Sequence, residues 1–522
     1  MTLLRSLVCL MRLFAQDRRA NLAYIYAVAF LPVALSAGAA IDYARGAMVR
    51  ATLTQALDAA GLAVGSSGNL STDDATALAQ TFFSANYRLD SSFGRPASVS
   101  LVQNGQDFSL TTNVPMPTTM LQLAGIDTIP VTSSVMVTRN SMNIEVALAL
   151  DITGSMSGQR LTDLKTAAKS LIDMVVQDVQ SPTYSKVAIV PYSMAVNVGS
   201  YAGQVRGAIT GGTTITGASK TSPVVITAPG HAFQNGDVVY ITGVAGMTSI
   251  NNKAFTVTNR TTDTFALSGV NGTYYSSYTG SGTAWCTTPG CQYYYFRSAT
   301  GTYNTYQVST CVTERTSNAY TDDSPATTLL GRNYPAASTN PCLGNTIVPL
   351  STDKTSLDSL VDGFAASGST AGHIGIAWAW YLLSPNFGTL WPSGSAPGSY
   401  TERTLMKFAI IMTDGAFNTP YCSGVIAADA ASGSDSSSTH NSCNAPGGSS
   451  IAQAKQLCTA MKAKGIVVYT VGFDVADNQT AIDVLTTCAT DSNHAFFPAT
   501  GGDLKDAFSD IAQQITNLRV KN

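Results

Sequence analysis

This chain has little charge: Asp, Glu, Lys and Arg make up 12% of its 522 residues, and the formal net charge is -3. Lys and Arg form no dense block, so the electrostatic footprint of a nucleic-acid binder is missing. Histidine is scarcer still. The four (His231, His373, His440, His494) are scattered without ligand spacing, and no Cys-x2-Cys pair occurs, which removes the usual zinc frameworks. Motifs of covalent and nucleotide chemistry fail as well. GSMSG at 154–158 has Met156 where a nucleophile elbow needs serine, and GTTITGAS at 212–219 has Ala218 where a phosphate-binding loop needs lysine. His373 is the one candidate base for Ser155, and no third group in the sequence is evident to orient it. The chain therefore reads as a non-enzyme, with a serine hydrolase as the remote alternative.

Residues 22–41 (LAYIYAVAFLPVALSAGAAI) are twenty positions without a charge. At roughly 1.5 Å per residue, a helix of that length crosses a hydrocarbon core of about 30 Å. Pro32 is tolerated in such a span, because neighbouring groups satisfy the carbonyl it frees. Arg5, Arg12, Arg18 and Arg19 precede it against one acid, Asp17, so residues 1–21 are expected in the cytoplasm and everything after Asp42 outside. The competing reading is a cleaved signal peptide with an A-x-A site at Ala37-Gly38-Ala39. The apolar stretch is longer than a signal core, which favours an uncleaved anchor. Cysteine placement agrees: Cys9 precedes the span, while Cys286, Cys291, Cys311, Cys342, Cys422, Cys443, Cys458 and Cys488 all follow it. Eight thiols on an oxidising side imply up to four disulfides, with the pairing left open.

Beyond the anchor, Met48, Leu53, Leu57, Ala60 and Val64 recur at helical spacing, so the membrane helix is expected to continue as a stalk. A second helix follows in STDDATALAQTFFSANY, capped by Ser71 or Thr72. Alternating runs joined by Asn104-Gly105 then complete a small α+β region over 42–140. From position 142 the pattern changes. Buried apolar strands (the run 144–150, KVAIVPYS, KFAIIMTDG, IVVYTVGF) alternate with amphipathic helices, the signature of a parallel, doubly wound α/β sheet over 142–522.

In such sheets ligands bind beyond the carboxyl ends of the strands. Asp151, Thr153 and Ser155 stand there after the first strand, Asp414 after another, and Thr370 on a third loop. Two carboxylates and three hydroxyls make a hard-oxygen site suited to Mg²⁺ or Mn²⁺. Few protein charges on the ion would leave it positive, able to take an acidic side chain from a partner. The competing reading is ordinary helix capping and turn chemistry, which favours the same residue types.

D-I-T-G-S with Thr370 and Asp414 resembles the metal-ion-dependent adhesion site of the von Willebrand factor A (vWA) family, with Thr153 where that family has serine. A wider resemblance lies in RRANLAYIYAVAFLPVALSAGAAIDYAR, IVPLSTD, GSTAGHIGIAWAWYLLSP, IIMTDGAFNTPY and AFSDIAQQITNLRV. These are similar to the TadE/TadG-like Flp pilus-assembly proteins, specifically the TadG type with a vWA domain. That resemblance implies a single-pass bacterial inner-membrane protein, periplasmic over most of its length, acting in tight-adherence pilus biogenesis. Its expected partners are other pilus-assembly proteins or pilin subunits. A scaffold whose metal only stabilises the fold is the alternative.

One segment departs from that family. At 207–285 the runs PVVITA, DVVYITGV, AFTVTN and TFALSGV, punctuated by Gly and Asn, read as an inserted antiparallel β module. It resembles the small β domain of ubiquitin-activating enzymes, and a surface loop tolerates such an insertion at little closure entropy. The Cys- and Tyr-rich run 286–345 is expected to be a disulfide-pinned loop region overlying the metal face.

Overall fold

A computed structural model describes residues 20–67, 70–138, 142–315, 322–324, 330–332 and 340–521. Most of the expected cytoplasmic segment, with its four arginines and Cys9, lies outside the described residues. The chain divides into two compact units at about residue 141.

The first unit begins with α1 (Ala20–Ser66), a 47-residue helix with Pro32 inside it. Its first half exposes Tyr24, Tyr26, Phe30, Leu31 and Val33, whereas Val49, Leu53, Ala56, Leu57, Ala60 and Val64 are buried. Met48 was expected on that buried stripe and is instead exposed. Position 49, four residues before Leu53, holds the helical phase that position 48 breaks. Helix α2 (Thr72–Asn86) is capped by Ser71, whose hydroxyl accepts the Asp74 amide at 3.1 Å. Strands β1 (Ser100–Asn104), β2 (Asp107–Pro117) and β3 (Thr128–Thr138) form an antiparallel meander. Phe108, Leu110, Val114 and Met116 alternate along β2 onto a core shared with α1 and α2.

The second unit is built on a nine-stranded sheet. Its elements in chain order are β4 (Asn143–Asp151), α3 (Gln159–Val175), β5 (Ser185–Tyr192), β6 (Val196–Asn197), β7 (Cys311–Arg315), β8 (Leu330–Arg332) and β9 (Val348–Ser351). Then come α4 (Lys354–Asp362), α5 (Gly372–Leu383), β10 (Leu405–Thr413), α6 (Ser450–Ala463), β11 (Val467–Gly472), α7 (Gln479–Cys488), β12 (Ala495–Phe496) and α8 (Gly501–Lys521). The order is β8-β7-β6-β5-β4-β10-β11-β12, with β9 antiparallel on β5. From β5 to β12 all neighbours are parallel. The chain goes from β4 to one side and returns to its other side for β10, so the sheet is doubly wound with its switch point between those strands.

The apolar run of β4 sorts by period two. Ile144, Val146, Leu148 and Leu150 pack on one face with α3, α4 and α8, while Ala147 and Ala149 face α5. Small residues there let α5 lie close over the sheet centre. Gly375 extends that fit, since a Cβ on it would fall 2.4 Å from the Tyr192 ring.

Between β6 and β7 lies a seven-stranded antiparallel sheet over 213–286, with its own core of Val224, Ile226, Val239, Ile241, Val257, Phe265 and Leu267. The run 286–345 is more ordered than a loop. Tyr293–Arg297 and Tyr303–Gln307 form a hairpin, and β7 joins the main sheet. Consecutive aromatics and β-branched residues favour that strand structure. Positions 316–321, 325–329 and 333–339 of this run are outside the described residues. Four disulfides pair near neighbours: Cys286–Cys291, Cys311–Cys342, Cys422–Cys443 and Cys458–Cys488.

Candidate functional site

Strand β4 ends on Asp151 and β10 on Thr413, side by side at the switch point. After Asp151 the chain turns through a short 3-10 segment, Gly154–Met156, before α3 begins. The turn is fastened to the loop before α5 by the Gly154 amide on the Gly368 carbonyl (2.9 Å) and the Ser367 amide on the Ile152 carbonyl (3.0 Å). That loop is tied in turn to the one after β10. The Thr370 amide donates to Asn418 Oδ1 at 3.0 Å, and the Asn418 amide donates to the Thr370 carbonyl at 2.9 Å. The three loops therefore form one hydrogen-bonded rim.

Four of the five residues singled out from sequence meet in a single chain of contacts. Asp151 Oδ1 accepts the Thr153 amide at 2.9 Å, and its Oδ2 accepts the Thr413 hydroxyl at 2.7 Å. Thr153 Oγ1 lies 3.0 Å from Ser155 Oγ, which donates to Asp414 Oδ1 at 2.7 Å. Thr370 joins the rim through its backbone, and its hydroxyl makes no hydrogen bond to another described residue. Asp151, Thr153, Thr370 and Asp414 are buried, while Ser155 is exposed. The cluster is thus open to solvent on the serine side.

Burial, with the Asp414 carboxylate as second cause, pushes Asp151 up to about 7. The same burial raises the Tyr192 phenol well above its ordinary value; its hydroxyl donates to the Met412 carbonyl at 2.9 Å. Arg160, in the first turn of α3, bridges Asp414 (3.1 Å) and Asp474 (2.5 Å) from the solvent side.

Sequence reasoning missed Thr413, Asn418 and Arg160. Thr413 stands beside Asp414 in MTDG and Asn418 four residues after it, so a search for every polar side chain on the strand-end loops would have found both. Arg160 carries no such signal, because only the fold brings it to Asp414. His373 does have an orienting group, contrary to expectation: its Nε2 pairs with Glu314 at 2.7 Å. His373 is buried on α5 and Glu314 stands on strand β7, and the Ser155 hydroxyl is directed at Asp414 instead. Among the described residues no group of three or more His, Cys, Asp or Glu side chains is placed to hold a metal, so a cation here would depend on the hydroxyls. The run after the β module does reach this rim, since Asn340 Oδ1 accepts both the amide (2.9 Å) and the hydroxyl (2.7 Å) of Ser369.

Residues 222–287 match the family described as the ubiquitin-activating enzyme E1 FCCH domain. No curated protein matches the chain. Among solved structures, the chain is similar to the vWF domain of the type V pili tip protein Mfa5 from Porphyromonas gingivalis. Identity is 12% and the TM-score 0.34, over 73% of this chain and 97% of that one. It is also similar to the adhesive tip pilin GBS104 from Group B Streptococcus agalactiae, at 10% identity and TM-score 0.30, over 72% of this chain and 100% of that one. A third is proximal thread matrix protein 1 from the mussel byssus with a zinc-occupied MIDAS motif, at 9% identity and TM-score 0.28, over 72% of this chain and 46% of that one. Likenesses this distant assign neither a family nor a ligand.

Proposed function

We propose that the chain is a membrane-anchored, pilus-related protein of the TadG type, whose second unit is a vWA domain that captures an acidic side chain of a partner with the help of a divalent cation. The observation that carries this reading is the contact chain Asp151, Thr153, Ser155, Asp414 at the switch point of a doubly wound sheet. With Thr370 it presents oxygen donors alone, the set preferred by Mg²⁺ or Mn²⁺ over softer ions. Held by these oxygens, a divalent cation would supply the positive charge that attracts an outside carboxylate.

The protein's own residues prepare that capture. Thr413 and the Thr153 amide fix both oxygens of Asp151, so the carboxylate is held in place before any cation arrives. Burial strips it of water, which strengthens its attraction for a cation. The exposed Ser155 marks the side from which a partner approaches. The anchor reading of α1 puts this site in the periplasm of a bacterial inner membrane, where pilins and other assembly proteins are the available partners.

A second reading, a scaffold whose site serves packing only, is favoured by Arg160. Its guanidinium already places a cation on Asp414. Titration calorimetry of Mg²⁺ and Mn²⁺ into the full chain in nanodiscs, beside Asp151→Ala, separates the two. Saturable binding lost in the variant, with metal-dependent retention of pilus subunits on the wild type, is the expected result. Absence of binding in the wild type refutes the adhesion reading and leaves the scaffold.

A further inference from the structure

The connection between β2 and β3 is apolar where it has no need to be for folding. Met120, Leu123 and Ile126 are 40%, 81% and 46% exposed, and none belongs to the core of the first unit. An exposed apolar cluster of this kind on a small unit marks an interaction surface. Its place along α1 says which one. Met120 lies against Gly38, where a Cβ would fall 2.4 Å from the methionine Cβ, and the Asp42 carboxylate holds the turn. Gly38 belongs to the stretch read as the membrane span, so the turn sits at the level where α1 leaves the bilayer.

Tyrosines give an independent ruler. Tyr24 and Tyr26 near one end and Tyr43 near the other are 75%, 68% and 79% exposed. At about 1.5 Å per residue they stand roughly 26–29 Å apart, the spacing of the two aromatic belts that flank a hydrocarbon core of about 30 Å. The turn is therefore level with the belt at Tyr43.

The turn is also built to leave water. Asp42 accepts the amides of Thr119 (2.8 Å), Met120 (2.9 Å) and Leu121 (2.9 Å). The Thr118 amide reaches the Asp127 carbonyl (3.0 Å), Leu123 reaches Met120 (3.1 Å), Gly125 reaches Gln122 (3.0 Å) and Ile126 reaches Leu121 (3.1 Å). Arg45, 3.5 Å from Asp42, balances its charge and donates to the hydroxyl of Thr119 and the carbonyl of Ser92. Each amide bonded in this way enters a low-dielectric layer at a smaller desolvation cost than a free one.

We propose that the β2–β3 turn is a second membrane contact, with Met120, Leu123 and Ile126 seated in the lipid interface beside Ile41 and Tyr43. The anchor alone is a single helix, free to rotate and tilt. A second contact at its exit fixes which face of the first unit looks along the membrane. The occupant is lipid because the patch is continuous with the exposed, span-end surface of α1. The inference rests on reading residues 22–41 as a span, and the experiment keeps the two apart.

The full chain, with Cys9→Ser so that the introduced cysteine is the one labelled, is placed one copy per nanodisc of phosphatidylethanolamine and phosphatidylglycerol. A nitroxide is attached in turn at Leu123→Cys, Ile126→Cys, Phe30→Cys and, as a water reference on α2, Asp73→Cys. Accessibility to oxygen is compared with accessibility to a neutral nickel chelate. Labels at 123 and 126 are expected to favour oxygen several-fold over the label at 73, and less strongly than the label at 30. Values at 123 and 126 equal to those at 73, with 30 still buried in lipid, overturn the proposal and leave the span intact. Protection from both reagents at 123 and 126 overturns it in favour of a protein contact. A water-like value at 30 refutes the span itself, and the second contact with it.

Discussion

Metal-free protein should become more stable when it is acidified from pH 7.5 to pH 5, against the usual trend for carboxylates. Asp151 is the cause. Burial and the Asp414 carboxylate hold it at about 7 in the folded chain, against an ordinary value of 3.8. A carboxyl raised on folding binds its proton more tightly in the native state, so its contribution is complete below the unfolded value and is lost as pH rises through the folded one. A carboxyl held at about 7 in the folded chain and at 3.8 in the unfolded one contributes at most roughly 4 kcal/mol, of which about 2–3 kcal/mol falls between pH 5 and 7.5. For a unit of several hundred residues that is about 3 °C in melting temperature. Asp178, Asp353 and Asp491 are shifted the other way by hydrogen-bond partners, and their stabilisation is lost only as pH falls below the ordinary value of 3.8, outside this window.

The assay is calorimetric melting of the full chain in detergent with a chelator, at half-unit pH steps, beside Asp151→Asn. The wild type should melt higher at pH 5 than at pH 7.5, and the variant should lose most of that slope. Saturating Mg²⁺ should flatten or invert the wild-type slope, because the cation stabilises the deprotonated site that acid removes. A metal-free wild type whose melting point falls on acidification, or a variant with the same profile, would show that burial does not raise Asp151 in the folded chain.

Two further outcomes follow from the packing around the site. Arg160→Ala frees Asp414 from its ion pair; since the arginine is 37% exposed, a several-fold gain in Mg²⁺ affinity is expected, read by calorimetry at low salt, and unchanged affinity would place the guanidinium outside the cation's path. Gly375→Ala drives a methyl into the Tyr192 ring, whose hydroxyl is bound at the end of β10, so a loss of about 1–3 kcal/mol in denaturant melts is expected together with weaker metal binding.

Legibility in the sequence followed the range of the interaction. The strands beginning near 144, 186, 406 and 467 could be read because each is a continuous apolar run, and a strand covered on both faces needs nothing else. The module over 213–286 could be read because one face of its strands is wet, which leaves the period-two alternation visible in DVVYITGV and AFTVTN. The opposite held for β7: Cys311–Arg315 mixes Thr, Glu and Arg, and it is a sheet strand only because β6 offers an edge for it to pair with. Helices α4 and α7 are nine and ten residues long, too short for a stripe to declare itself between the turns around them.

The site divides along the same line. Asp151 and Asp414 could be found because a carboxylate directly after a buried strand can only stand at the sheet's edge, and two such strands in one doubly wound unit bring their ends together. What the sequence withheld is which hydrogen bonds hold the two acids. The structure answers with three devices: Thr413 donating to Asp151, Ser155 donating to Asp414, and Arg160 paired with the far oxygen of Asp414. Each comes from a different element. Ser155 belongs to the motif, whereas Thr413 and Arg160 carry none, and of the three it is Thr413 whose hydrogen bond lowers Asp151 against the burial that raises it.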